Sequence, residues 1–186
     1  DNIAPEAKAD GIWDYTNDLG VLETLNDGYE PTESHDTSHG AWHNWNNRYE
    51  NGVAKNAWVS YTWDKPVEIN SMDIYYFSDH GGIVAPKSAS FEYLNDAGEW
   101  VVADEAQGLA CVEDEYNTVK LANIKTKAIR MTMEPEFMND GDPAHGVGVI
   151  EWKVYGKYAE DKPETVDKTA LDAVIREAES RAEKDY

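Results

Sequence analysis

The sequence is short of three things: cysteine, phenylalanine and positive charge. One Cys and three Phe occur in 186 residues, and 16 Lys and Arg face 37 Asp and Glu. A lone Cys111 cannot close an internal disulfide and has no second thiol for a zinc cluster, so it reads as a buried structural thiol. The net charge of −21 argues against a nucleic-acid partner, because binding phosphates needs a basic patch that releases counterions. It argues equally against docking on an anionic membrane surface. No apolar run approaches the ~18 residues of a membrane span. There is no Gly-x-Ser-x-Gly elbow, no phosphate-cradling Gly-rich loop and no dinucleotide fingerprint, so no catalytic signature stands out. The chain opens on Asp1 rather than Met and reads as a piece of a longer polypeptide whose targeting signals lie elsewhere.

What is present suffices for one core: 41% of residues are hydrophobic, too many for a disordered acidic chain. Seven Trp and eleven Tyr outnumber the Phe, and both carry a polar handle on an apolar plate. Residues 159–186 hold nine acidic and five basic side chains, so most of the charge belongs to the preceding body. That body reads as strands. The run 57–63 alternates Val59, Tyr61 and Trp63 with Trp58, Ser60 and Thr62, and similar runs follow at 71–78, 88–95, 99–104, 117–121, 127–134 and 148–156. Asn95-Asp96-Ala97-Gly98 predicts a hairpin turn, while Pro66, Gly81-Gly82, Pro86 and Asp140-Gly141-Asp142-Pro143 mark loops. Regular short strands without intervening helices predict an all-β antiparallel sandwich or barrel over residues 1–158. One short helical turn is expected within 18–28, ending at Asn26 to Gly28.

After Tyr158 the composition shifts. Residues 159–168 are polar, charged and hold Pro163, as a linker does. Residues 169–186 place Leu171, Val174, Ile175, Ala178 and Ala182 on one face of an α-helix, with Thr169 and Asp172 as a variant capping box. One amphipathic helix of this length does not stand alone in water, so it predicts the first helix of a truncated helical module.

Three chemistries compete for the loops. His35, His39 and His43 are spaced by four, a helical zinc pattern. Their surroundings hold Gly40, Ser, Asp, Thr and Asn, however, and loop composition breaks that spacing. Residues 25–36 offer Asp27, Ser34, Asp36 and backbone carbonyls, the hard oxygen ligands that suit Ca²⁺. Asp140, Asp142 and Glu151 mimic positions 1, 3 and 12 of a calcium loop, but Ala144 and His145 occupy positions that need an oxygen donor and a Gly. Sugar recognition asks for an apolar plate flanked by polar groups. The segment 39–48 gathers Trp42, His43, Asn44, Trp45, Asn46 and Arg48. The segment 77–86 sets Asp79 and His80 beside two glycines, and 136–146 adds Phe137, Asn139 and His145. For each aromatic, core packing competes with ligand stacking.

Taken in order, TLNDGYEPTESHD, the Trp-rich loop, WVSYTWDKPVEINSMDIYYFSDHGGIVAPKSASFEYLNDAGEWV and YNTVKL…TKAIRMTM…GVIEWKVYG resemble the discoidin-like, galactose-binding-like domains over roughly residues 10–157. The resemblance is to the variant found near the C-terminus of bacterial glycoside hydrolases, arabinofuranosidases among them. It implies an antiparallel β-sandwich jelly roll acting as a carbohydrate-binding module. It implies a structural Ca²⁺ held by Asp27, Ser34 and Glu151, with carbonyls such as that of Leu25. It also implies ligand contacts from Asp36, Trp45, Asp79 and His80. Where related modules have consecutive tryptophans this chain has WHNW, which leaves the stacking residue open between Trp42 and Trp45, with His43 between them. The tail DKTALDAVIREAESRAEKDY resembles the opening of a FIVAR repeat, which implies an extracellular, wall-attached parent of a Gram-positive bacterium. The expectation is a monomeric, non-catalytic module binding neutral arabinose- or galactose-containing glycans and partnered with the catalytic domain of its parent. The competing expectation is a packing module that binds no glycan.

Overall fold

Alternation in the run 57–63 is realised except at Ser60: Val59, Tyr61 and Trp63 are buried, Trp58 is half-buried and Thr62 exposed, as a ladder with one inward face requires, while Ser60 on the second face is buried too. The computed structural model describes residues 1–12 and 22–159. Its strands are β1 (Lys8–Gly11), β2 (Trp42–His43), β3 (Tyr49–Glu50), β4 (Val53–Ala54), β5 (Ala57–Phe77), β6 (Ser88–Leu94), β7 (Trp100–Val102), β8 (Asn117–Glu134) and β9 (Gly148–Tyr158). All the pairings between these strands are antiparallel.

The runs 57–63 and 71–78 are halves of one strand, and so are 117–121 and 127–134. Register explains why each half looked separate. The first half of β5 pairs with β1 and with residues 128–133 of β8, which in turn pair with β6 and onward to β7. From Val67 onward, β5 pairs with residues 117–126 of β8 and with β9, which carries β2. Each long strand therefore crosses from one layer of an antiparallel sandwich to the other, bending at the register shifts between Thr62 and Val67 and between Ile69 and Ser71. Pro66 lies inside the first shift, where its missing N–H breaks no ladder bond.

Between the layers sit Val59, Tyr61, Trp63, Met72, Ile74, Tyr76, Phe91, Ile129, Met131, Met133, Trp152 and Val154. Tyr61 stacks on Trp152 across the interior with centroids 4.2 Å apart, and its hydroxyl donates to the Trp152 carbonyl at 2.8 Å. A shift in β9 pairing between Tyr75 and Tyr76, which skips Ile150, puts Val149 and Trp152 on the same side although they are three residues apart. Val149 and Trp152 enter this core, whereas Ile150 joins Ala41, Tyr75, Phe77 and Ile83 in a smaller cluster.

The turn at 95–98 forms as expected: the Asn95 side-chain carbonyl accepts the Ala97 and Glu99 amides at 3.0 and 2.9 Å, and Gly98 takes φ +78°. The helical turn is a 3-10 turn over Leu22–Asn26, and the Asn26 amide donates to the Ala4 and Ala7 carbonyls. The helix expected over 169–186, its FIVAR-like reading and the linker beyond Ala159 lie outside the described residues.

Because Trp152 is fully buried against Tyr61 and Phe91, Trp152→Ala is expected to cost about 3–5 kcal/mol in urea unfolding. Trp152→Phe costs less, since it keeps a ring and deletes an indole N–H that has no hydrogen-bond partner.

Candidate functional site

Short strand β2 brings the Trp-rich loop onto the sandwich. Trp42 pairs with Val149 and His43 with Gly148. Asn44 then locks the exit: its amide donates to the Val147 carbonyl at 3.1 Å, and its side-chain oxygen accepts the Val147 amide at 2.8 Å. A 3-10 turn at Trp45–Asn47 follows. Strand alternation sends Trp42 inward, fully buried, with its indole N–H donating to the Ile12 carbonyl at 2.6 Å. It offers no surface for stacking, so of the two tryptophans Trp45 is the one left to face a ligand.

Trp45 lines a cavity of about 390 Å³ together with Thr37, His43, Phe77, Asp79, Gly82 and Ile83. Its indole is fixed on several sides. The Arg48 guanidinium lies 3.6 Å from the ring centroid and donates to the Trp45 and Ala144 carbonyls. Gly82 passes so close that a Cβ there would stand 2.5 Å from Cζ3 of the ring, so the missing side chain at Gly82 makes room for the indole itself. Asp79 organises the opposite wall. One carboxylate oxygen accepts the Gly81 and Ile83 amides, both at 2.9 Å, and Asp79 itself remains exposed. His43 is nearly buried, and its Nδ1 accepts the Trp45 amide at 3.3 Å. Thus Trp45, His43 and Asp79 come together. Gly82, one of the two glycines expected beside Asp79, lines the wall as well, and Thr37, Phe77 and Ile83 complete it, although composition singled out none of these three. Phe77 and Ile83 read as ordinary strand and loop residues, and Thr37 carries no pattern of its own.

Besides the buried Trp42, two more of the expected ligand residues lie outside this wall. His80 takes the left-handed backbone (φ +58°), with its ring edge-on to His35 at 5.1 Å and its Nδ1 3.9 Å from Glu113. Asp36 accepts hydrogen bonds from Ser38 and Tyr29, which hold its carboxyl below the ordinary range. The 136–146 loop docks beside the cavity, as Tyr49 donates to Asp142 and accepts the Ala144 amide, each at 2.7 Å. That docking leaves Phe137 and Met138 exposed.

The evenly spaced histidines do not form a zinc site. His35 meets His80, His39 meets Asp27 at 2.8 Å, and His43 lines the cavity. Among the described residues no three His, Cys, Asp or Glu side chains form a metal-binding group.

Two carboxylates do meet. Glu151 lies on β9 opposite Tyr75 and is fully buried. Its Oε1 accepts the Gly28 amide at 3.1 Å, while Oε2 has no hydrogen-bond partner. Burial raises its carboxyl to about 8, the Gly28 amide opposes the rise, and the neighbouring Asp27 carboxylate adds to it. A buried carboxylate with an orphaned oxygen beside a second carboxylate fits a hard divalent cation, which would relieve both desolvation and repulsion. Leu25, whose carbonyl the resemblance implied as a ligand, lies two residues before Asp27, buried in the 3-10 turn. Ser34 is already engaged: its hydroxyl accepts the Asp114 amide at 2.8 Å and its carbonyl accepts the Ser78 amide at 2.9 Å. Asp140 and Asp142 are exposed on their own loop, whereas Glu151 faces Asp27.

No family model matches the sequence. In three dimensions the chain is similar to the family 32 carbohydrate-binding module of Streptococcus pneumoniae EndoD, with 20% identity, 84% of this chain and 100% of that chain covered, and a TM-score of 0.55. It is similar to the family 32 module of Clostridium perfringens NanJ in complex with galactose, with 16% identity, 82% and 96% coverage and a TM-score of 0.57. It is also similar to the C. perfringens module CpGH89CBM32-5 in complex with GalNAc-β-1,3-galactose, with 13% identity, 83% and 99% coverage and a TM-score of 0.61. At these identities the likeness is one of fold: the chain has the antiparallel β-sandwich of the family 32 carbohydrate-binding modules.

The raised carboxyl of Glu151 sets a pH dependence. Its folded value of about 8 lies above the ordinary 4.5, so its contribution to stability is present below pH 4.5 and is lost as pH rises through 8. With chelator present, Tm is expected to fall by about 5–10 °C between pH 5 and pH 8.5, and scanning calorimetry of Glu151→Gln should show a flatter slope. Asp36, held low by Ser38 and Tyr29, and Glu30, held low by Lys153, act in the opposite direction, because their contributions are present above the ordinary carboxyl values and are lost as pH falls through the lowered ones.

Proposed function

We propose that this chain is a non-catalytic carbohydrate-binding module that keeps a larger extracellular glycoside hydrolase close to neutral glycans containing galactose or arabinose. The observation that carries the reading is the cavity walled by Trp45, His43 and Asp79, which joins an aromatic plate to polar groups of the kind that hydroxyls require. Similarity in fold to modules solved with galactose and with GalNAc-β-1,3-galactose supports it. In this reading a sugar packs its C–H face on the part of the indole that Arg48 leaves uncovered. Asp79 accepts from hydroxyls, and Thr37 and His43 complete the ring of polar contacts. The acidic surface disfavours anionic polysaccharides. Affinity is modest, since an open wet site must replace the hydrogen bonds that the sugar makes with water.

The cation at Asp27 and Glu151 is Ca²⁺ in this proposal, a structural ion holding the loop after the 3-10 turn against β9. The module works as a monomer, attached to the wall through its parent. The competing role, packing against the catalytic domain without binding glycan, would leave the Trp45 cavity without a ligand.

Calorimetric titration with galactose, GalNAc and arabinose oligosaccharides separates the two. Trp45→Ala and Asp79→Ala are each expected to weaken binding by about tenfold or more while the unfolding curve stays cooperative. A folded wild-type protein that binds none of these sugars overturns the reading. For the cation, chelation is expected to lower Tm in the wild type and to leave Asp27→Ala unchanged; equal melting curves with and without chelator remove Ca²⁺ from the account.

A further inference from the structure

One loop joins the two carboxylates to the cavity. It begins at Asp27, beside Glu151, and ten residues later places Thr37 in the cavity wall. Between these points the loop is tied to itself. The Tyr29 amide donates to Asp27 Oδ1 at 3.1 Å, and His39 Nε2 meets Asp27 Oδ2 at 2.8 Å. The His39 ring stacks on Tyr29 with centroids 4.0 Å apart and planes 2° from parallel. The Tyr29 hydroxyl donates to Asp36 Oδ2. Asp36 Oδ1 accepts the Ser38 amide at 3.0 Å and the Ser38 hydroxyl at 2.6 Å. Asp36 and Ser38 flank Thr37, so the residue that reaches the cavity is held from both sides by a chain of contacts ending on Asp27.

We propose that His39 and Tyr29 are positioning residues that couple a divalent cation at Asp27 and Glu151 to the cavity through Thr37, so that cation binding and sugar binding reinforce each other. This rests on the carbohydrate-binding reading and on the cation reading above. A carboxylate oxygen has two lone pairs, so Asp27 can meet a cation while still accepting from Tyr29 and His39. With the cation in place the two carboxylates are drawn together and Asp27 presents Oδ2 to His39. Without it nothing draws Asp27 to Glu151, Asp27 is free to turn, and the His39 ring loses a fixed anchor. Tyr29 then loses the ring stacked on it, and its hydroxyl loses its fixed direction towards Asp36. The exposed His39–Asp27 contact is weak taken singly. The coupling comes from the stack and the Asp36 hydrogen bonds that extend it. Linkage makes the effect reciprocal: whatever factor the cation adds to sugar affinity, the sugar adds to cation affinity.

The test is a Ca²⁺ titration of the full chain, wild type and His39→Ala, with and without saturating galactose. Affinity is read by competition with a chromophoric chelator, and the Thr37 amide and Trp45 indole resonances are followed by NMR. In the wild type, Ca²⁺ is expected to shift the Thr37 resonance, and galactose to tighten Ca²⁺ about fivefold or more. In His39→Ala, Ca²⁺ still binds within about threefold of wild type, the Thr37 shift is lost, and galactose changes Ca²⁺ affinity less than twofold. Tyr29→Phe, which keeps the ring and removes the donor to Asp36, reproduces the loss of the Thr37 shift with the stack intact. Ca²⁺ binding that leaves Thr37 unmoved in the wild type, or coupling of equal size in both variants, overturns the proposal, as does a wild type that does not bind Ca²⁺. If Ca²⁺ binds and moves Thr37 only where His39 is present, yet none of galactose, GalNAc and arabinose oligosaccharides binds, the coupling through the loop stands and the carbohydrate reading fails.

Discussion

From Val67 to Ile74, strand β5 is hydrogen-bonded along both edges, to β8 on one side and to β9 on the other, and the β9 ladder alone runs on to Phe77; almost every placement around the cavity depends on that register. Side-chain direction repeats every two residues, so a slip of one would expel Met72, Ile74 and Tyr76 from the interior. The same register sets Tyr75 opposite Glu151 and Phe77 opposite Gly148. Gly148 in turn pairs with His43. The end of one ladder therefore positions both the buried carboxylate and the floor of the cavity.

The shift in β9 makes this arrangement possible. By turning Val149 and Trp152 to the main core and Ile150 to the smaller cluster, it lets one short stretch be covered on both faces. Burial on the second face comes from the loop that starts at the 3-10 turn Leu22–Asn26. That cover has an electrostatic cost, because Glu151 is left with an oxygen that no hydrogen bond reaches. The strain is local, and the loop that creates it is also the loop that carries Thr37.

The tryptophans divide by environment rather than by neighbourhood in the chain. Trp42, Trp63 and Trp152 are core residues. Trp100 lies under the Arg130 guanidinium, which is paired with Glu92. Trp45, three residues from Trp42, packs against Arg48 and opens onto the cavity. Asn44 makes the difference: its two bonds to Val147 end the β2 ladder, and the following 3-10 turn carries the indole to the edge. A cavity-lining plate and a core plate thus come from one sequence motif, separated by a change of backbone geometry.

Composition and periodicity by themselves determined the all-β class, the inward residues of the long strands, the Asn95–Gly98 turn and the exclusion of a disulfide scaffold. These properties follow from local rules, two-residue alternation and turn chemistry, which need no knowledge of distant contacts. The resemblance in residue order added the pairing of Asp27 with Glu151, and the fold brings those two carboxylates together across 124 positions of the chain. Tertiary structure alone decided which tryptophan is buried, why His35, His39 and His43 part company, and that Thr37, Phe77 and Ile83 join His43 and Asp79 around one cavity. Those outcomes depend on where bends and register shifts fall in strands whose halves look independent in sequence. A displacement of one residue reverses the face that a side chain occupies, and only the assembled sheet fixes that choice.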